Sequence, residues 1–424
     1  MEIALGILIA VLLYAFGSSL FIVFATLASI LIMFVYGMPI QSYVMMYFAE
    51  INNFTLVAAP LFVLAGNFMI YGGLSEQLVK LFKSFTGHIS GGLALGVVIA
   101  SAFVGALTGS ALATLAAVGL IMFPAMIESG YSKGFSASIL ASSMGLGFLI
   151  PPSMLLIIYS FLTFENVSRM FAAGILPGLV SAGVLCVAIL IIGRVKKLPR
   201  AEKVNWKERF SLLIKSIPAI LMPVVVLGGI YGGIFTPTEA AAVACVYTIL
   251  VGIFIYRKLN WKHFIKAVDE TTKIIGTIFL LIVAGMVLGN SFIMLGLGQS
   301  VSSWFLGLQL EPITFLLITV LILTALGCIM EGIAVLVISI PFLMPVVTTM
   351  GIDKIHFGII VCMCLILGYL TPPMSIGIYA SSGLFNTPIH HIILGIWPFL
   401  VAIIVTVLII VFVPPIAVFI PSLM

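Results

Sequence analysis

The charged side chains of this sequence are widely spaced, and the long runs between them are apolar on every face, not on one stripe or on alternate positions. A membrane β-strand would alternate apolar and polar residues, so the pattern predicts helices that each cross a bilayer with about 20 residues. After an apolar run at the amino terminus, spans are expected at Ser19 to Tyr36, Phe54 to Tyr71, Ser132 to Leu162 and Phe171 to Gly193. Further spans follow at Ile217 to Phe235, Glu239 to Tyr256, Ile274 to Leu295, His356 to Ser382 and Ile392 to Val413. The expected fold class is an all-α polytopic membrane protein.

Two stretches are too long for one span. Residues 84–127 hold no Asp, Glu, Lys or Arg, and their centre reads Gly105-Ala106-Leu107-Thr108-Gly109-Ser110. Residues 312–352 hold one charge, Glu331, beside Gly327 and Gly332. Both read as helical hairpins. A two-span hairpin and a re-entrant one begin and end on the same side; the lack of turn-forming polar residues at the first tip favours the re-entrant form. Gln41 to Asn53 and Asn260 to Glu270 mix polar and apolar positions and read as interfacial arm helices.

Gly and Pro positions repeat. At an offset of 221, Pro124 matches Pro345, Gly130 matches Gly351, Gly147 matches Gly368, and Pro151-Pro152 matches Pro372-Pro373. Gly66-Asn67 matches Gly289-Asn290 at 223, so most of each half is covered. The organisation expected is a first repeat, 1–193, with hairpin 84–127 and broken helix 132–162; a basic linker, 194–216; and a second repeat, 217–424. The second holds arm 260–270, hairpin 312–352 and broken helix 356–382. Five crossings separate the hairpins, an odd number, so the repeats have inverted topology, a signature of secondary transporters.

Composition agrees: of 424 residues 63% are hydrophobic and 7% charged, against about 25% in soluble domains. The net charge of +5 is a topology signal and not a nucleic-acid surface, because 8 of 18 Lys and Arg fall between Arg194 and Lys215. The positive-inside rule puts that loop in the cytoplasm. Of the ten remaining basic residues, all but Arg169 and Lys354 then fall inside, and both termini are expected on the outer face. The five cysteines form no CxxC pair and read as packed thiols. His88, His263, His356, His390 and His391 fall at segment ends and read as interfacial.

The chemistry is expected where the helices break, at Gly145 to Ser153 and Gly368 to Ser375. Paired prolines donate no amide hydrogen, so the carbonyls of Gly147, Phe148, Gly368 and Tyr369 lose their helical partners. Sodium, which prefers oxygen ligands, is one partner, and the following half-helix offers its amide end to an anion. A kink satisfied by neighbouring helices is the other reading. Thr108, Gly109 and Ser110 add hydroxyls and accessible backbone. Glu331 is open as sodium ligand, proton carrier or salt-bridge partner. Thr236-Pro237-Thr238-Glu239 reads as a capping box. Zinc-protease, phosphate-loop and triad motifs are absent, so no enzyme is expected; an intramembrane enzyme would need a catalytic partner for Glu331.

The strings PLFVLAGNFM (Pro60 to Met69), FLIPPSMLLIIY (Phe148 to Tyr159), AAGILPG (Ala172 to Gly178), YGGIFTPTEAAAVA (Tyr231 to Ala244) and GYLTPPMSIGIY (Gly368 to Tyr379) carry a resemblance. Across the chain it resembles the large membrane subunit of tripartite ATP-independent periplasmic (TRAP) transporters. The resemblance implies re-entrant hairpins and a sodium-coupled, elevator-type importer of an organic acid in a bacterial inner membrane. It also implies a small membrane subunit and a periplasmic binding protein as partners, with sodium as coupling ion and no other cofactor. By position, one sodium site would use Gly105, Thr108, Gly109 and Ser110 with Gly145, Gly147, Pro151 and Ser153. The second would use Gly327, Glu331 and Gly332 with Gly368, Thr371, Pro372 and Ser375. Substrate would lie between the tips, near Ser110, Ser153, Glu331 and Ser375. A sodium-coupled anion symporter without a binding protein is the competing reading.

Overall fold

The computed structural model describes residues 2–52, 54–201, 203–373 and 375–424, with the side chain of Leu306 left aside. Asn53 at the end of the first arm and Met374 in the second break lie outside the described residues. Every regular element among those residues is helical. The first half runs α1 (Glu2–Ala15), α2 (Leu20–Ile30), α3 (Ile40–Ile51), α4 (Ala58–Gly72), α5 (Leu74–Thr86), α6 (Gly92–Thr108), α7 (Ala111–Glu128), α8 (Lys133–Met144), α9 (Leu146–Leu149), α10 (Met154–Thr163) and α11 (Val167–Lys196). The second runs α12 (Trp206–Tyr231), α13 (Pro237–Leu250), α14 (Trp261–Met294), α15 (Leu297–Gly307), α16 (Pro312–Ile329), α17 (Gly332–Thr349), α18 (Lys354–Leu370), α19 (Ile376–Phe385), α20 (Ile389–Phe412) and α21 (Pro415–Val418). Nine described helices are long and apolar enough to span a membrane, or ten if the bent α8–α10 unit counts as one.

The repeat extends to backbone detail. Both α2 and α13 end in a π-helical turn, Leu31–Val35 and Val251–Ile255. Left-handed glycines stand at Gly73 and Gly296 and at Gly130 and Gly351, and cis bonds join Pro151 to Pro152 and Pro372 to Pro373. Just after Gly130 and Gly351, Ser132 and Asp353 cap α8 and α18 with their side-chain oxygens. The capping box expected at Thr236 is present: Thr236 Oγ1 accepts from Glu239 N at 3.3 Å, and Glu239 Oε2 accepts from Thr236 N at 2.8 Å.

Four features differ from the sequence reading. The second arm, expected at 260–270, is continuous with the next span in the 34-residue α14. Lys262, Lys266, Asp269 and Lys273 read as a boundary, yet lysine is a good helix former and the Asp269–Lys273 pair stands at i, i+4, so no break is needed. Short helices α5 and α15 precede the hairpins where no element was expected; α5 is strongly amphipathic, so an apolarity criterion passes over it. The linker is largely helical, since α12 starts at Trp206 and buries Arg209 between the rings of Phe85 and Trp206. His356 is buried rather than interfacial, with Nε2 2.8 Å from the Ile410 carbonyl. The cysteines are free thiols, all buried except the half-buried Cys186.

Two packing neighbourhoods can be followed through the helices, joined by α5 on α6 and by α14 on α17. In one, α4 packs on α13 and α14, α14 on α2, and α12 on α5 and α13. In the other, α8 and α18 pack on α20, and α16 on α18, with α6 and α7 on α8. The arms cross between repeats. Asn67 of α4 donates to Thr271 Oγ1 at 2.8 Å, and Asn290 of α14 donates to Glu50 Oε1 of α3 at 2.9 Å. Thr271 and Glu50 are themselves 221 positions apart, so each repeat holds the other's arm through a matching asparagine.

Candidate functional site

Each hairpin tip lies on the broken helix of its own repeat because two glycines face one another. A Cβ on Gly105 would come within 2.6 Å of Gly147 Cα; one on Gly368 would come within 2.6 Å of Gly327 Cα. No other residue type permits backbones so close. The α8–α10 unit bends by 42° at the first break.

At the first tip, Gly109 turns in the left-handed region and its carbonyl accepts from Met154 N, the first amide of α10, at 3.2 Å. Thr108 Oγ1 lies 3.0 Å from Thr114 Oγ1, and Thr114 donates to the Ser110 carbonyl at 2.7 Å. The Ser110 hydroxyl makes no hydrogen bond among the described residues, although Ser110 holds the N-cap position of α7. Ser153, fully buried, donates to the Phe148 carbonyl at 2.6 Å, and Ser375 repeats this bond on the Tyr369 carbonyl. Two of the four carbonyls expected to lack partners are therefore satisfied within their own break, and Gly368 O accepts from Thr371 N at 3.3 Å. The helical donor of Gly147 O would be Pro151, and this carbonyl has no hydrogen-bond donor among the described residues. Gly145 stands apart from the tip: a Cβ there would meet Ile366 of α18.

The second tip differs because Glu331 replaces Ser110 at the N-cap. Glu331 Oε2 accepts from Ile333 N at 2.9 Å and Ala334 N at 3.4 Å, and Oε1 accepts from Tyr369 Oη at 3.0 Å. Its charge is thus met by the positive end of α17 and by a phenol. Gly332 packs against the Tyr369 ring, while Thr371 Oγ1 donates to its own helix at Leu367 O, 2.7 Å. The ring of Phe148 meets that of Tyr369 edge to face at 5.1 Å, joining the two breaks. Thr114 and the phenol of Tyr369, a residue read in sequence only for its carbonyl, are site groups that the motif reading missed; Thr114 falls one helical turn after Ser110, the one available signal. Among the described residues no group of three or more His, Cys, Asp and Glu could hold a metal, so a cation at the first tip would rest on carbonyl and hydroxyl oxygens.

Beside both tips a cavity of about 840 Å³ is bordered by Leu112, just past the first tip, by Glu331, and by residues of α2 and α14 that include Lys273. A second cavity of about 630 Å³ lies between α14, α17 and α10.

An inverted helical repeat with two hairpin tips seated on two broken helices is the construction of a secondary transporter. The chain belongs to the DctM component family of tripartite ATP-independent periplasmic transporters, whose model matches residues 5–416. It is 36% identical to the C4-dicarboxylate TRAP transporter large permease protein DctM of Pseudomonas aeruginosa over 90% of each chain. To the sialic acid TRAP transporter large permease protein SiaM of Vibrio cholerae it is 34% identical, over 88% of this chain and 87% of that one. The crystal structure of the Alcanivorax borkumensis YdaH transporter shares the fold, with a TM-score of 0.58 over 84% of each chain at 15% identity.

Proposed function

We propose that this chain is the large membrane subunit of a sodium-coupled importer of an organic acid, working by an elevator motion in a bacterial inner membrane with both termini outside. A periplasmic binding protein delivers the acid and a small membrane subunit completes the complex. The observation that carries the reading is the pair of glycine crossings, Gly105 on Gly147 and Gly327 on Gly368, each setting a hairpin tip on a proline-broken helix. A cation at the first tip is served by Gly147 O and the hydroxyls of Thr108, Ser110 and Thr114. The carboxylate Glu331 gives the second tip a negative charge that a cation would offset. The substrates in the names of the two permease relatives support an organic acid, with a four-carbon dicarboxylate and sialic acid as the first candidates.

The test is uptake of labelled succinate and N-acetylneuraminate into liposomes holding both membrane subunits, with binding protein outside. An inward sodium gradient should drive accumulation of one of them, and omission of either sodium or binding protein should abolish it. Import of neither anion, or import indifferent to sodium, overturns the reading. Sodium-driven import without binding protein would establish the stand-alone symporter instead.

A further inference from the structure

The cavity beside the two tips holds two charged residues among those that line it, Glu331 and Lys273. Glu331 repels an organic anion, and both its oxygens are already engaged by Tyr369, Ile333 and Ala334. An acid released through this space therefore needs a cation on the opposite wall. At 1.5 Å per residue, α14 is about 51 Å long, against about 30 Å of hydrocarbon, so its first turns lie outside the core. Lys273, 12 residues after Trp261, stands where the helix enters the membrane on the side marked cytoplasmic by Lys258, Lys262 and Lys266. Its partner is Asp269, at 2.6 Å, and both side chains are largely exposed, 72% and 53%. Such a pair is weak and readily exchanged for another carboxylate. One turn on, Thr277 also lines the cavity, its Oγ1 donating to the Lys273 carbonyl at 3.0 Å.

We propose that Lys273 is the cytoplasmic-side anion-binding residue: its ammonium leaves Asp269 to hold the carboxylate of the acid as it leaves the hairpin tips. This rests on the transporter reading above. α14 packs on α3 and α4 as well as on α17, the helix that leaves the second tip, so under an elevator motion Lys273 engages the acid only when the tips stand beside it.

The experiment is counterflow in the same liposomes, with external labelled anion exchanging against internal unlabelled anion over a range of concentrations. External binding protein selects the molecules facing outward. The probe is whichever of succinate and N-acetylneuraminate the wild-type complex imports. K273Q should raise the internal half-saturating concentration about tenfold, the loss of one charge-assisted hydrogen bond, while the external dependence on binding protein stays within about twofold. K273R should restore the internal value, and D269N, which removes the competing carboxylate, should lower it. An unchanged internal value in K273Q, or equal changes on both faces, overturns the assignment while leaving the transporter reading intact. Failure of wild type to import either anion overturns both.

Discussion

At the scale of single residues, the glycines make the sharpest claim. Gly105→Ala or Gly368→Ala places a methyl 2.6 Å from facing backbone, and no rotamer relieves it. Overpacking of this kind costs about 1–3 kcal/mol, and here it also lifts a tip from its break, so both variants should lose transport and unfold several degrees earlier. Gly183→Ala, with no atom within 4 Å of the added methyl, should be neutral or slightly stabilising in the same thermal assay. Glu331 and Tyr369 make a second claim. Since the phenol donates to the carboxylate, Tyr369→Phe and Glu331→Gln should act on one interaction. Their double variant should lose little more transport than the worse single one, with a coupling of about 1–3 kcal/mol in a double-mutant cycle. Additive losses would show that the two residues work separately. The prolines and glycines of the breaks were legible in sequence because their effect is on their own backbone. The role of the Tyr369 phenol was not, because it depends on a carboxylate 38 positions away that only the folding of the hairpin brings near.

At the scale of elements, legibility followed apolarity. Spans and hairpins were readable because uncharged runs have one explanation in a bilayer, whereas α5 and the start of α14 carry charge and look like ends, and α15 is short with Gln and Ser among its apolar residues. What fixes α5 is an ion-pair cluster: Glu76 accepts from Lys80 one turn on and from Lys258 beyond α13. Burial pushes the Glu76 carboxyl up, but the hydrogen bonds and charges of the two lysines outweigh it and hold the group below its ordinary 4.5. A depressed acid stabilises the fold above its unfolded value and loses that contribution as pH falls through the folded one. Lys258→Met should therefore lower the unfolding temperature at neutral pH and make little difference well below pH 4.5. An equal effect at both would show that Lys258 acts by packing on Gly73 alone. The crossed arms are the other elemental device. Asn67→Leu removes the α4–α14 hydrogen bond, while Thr271 keeps its own bond to the Ala267 carbonyl, and should cost about 0.5–1.5 kcal/mol in the unfolding assay.

At the scale of the whole molecule, the duplication read from Gly and Pro spacing carries over to cis bonds, left-handed turns, caps and crossed arms, and at the tips it leaves Ser110 unequal to Glu331. An elevator motion requires the tip-bearing helices to slide along α4 and α14 as a body. The closest seam between the groups in the second repeat is α14 on α17, where an added Cβ on Gly289 would lie 3.8 Å from Pro341 Cβ. That separation is the mean for a disulfide. Gly289→Cys with Pro341→Cys, in a background where the five native cysteines are replaced, should cross-link on oxidation without disturbing the fold. If α17 slides past α14, the oxidised protein should retain less than about a tenth of sodium-driven uptake and recover it on reduction, because the bond ties a moving element to a fixed one. Full transport by the oxidised protein would mean that α14 and α17 travel together, and the seam of the elevator would then have to lie elsewhere in the molecule.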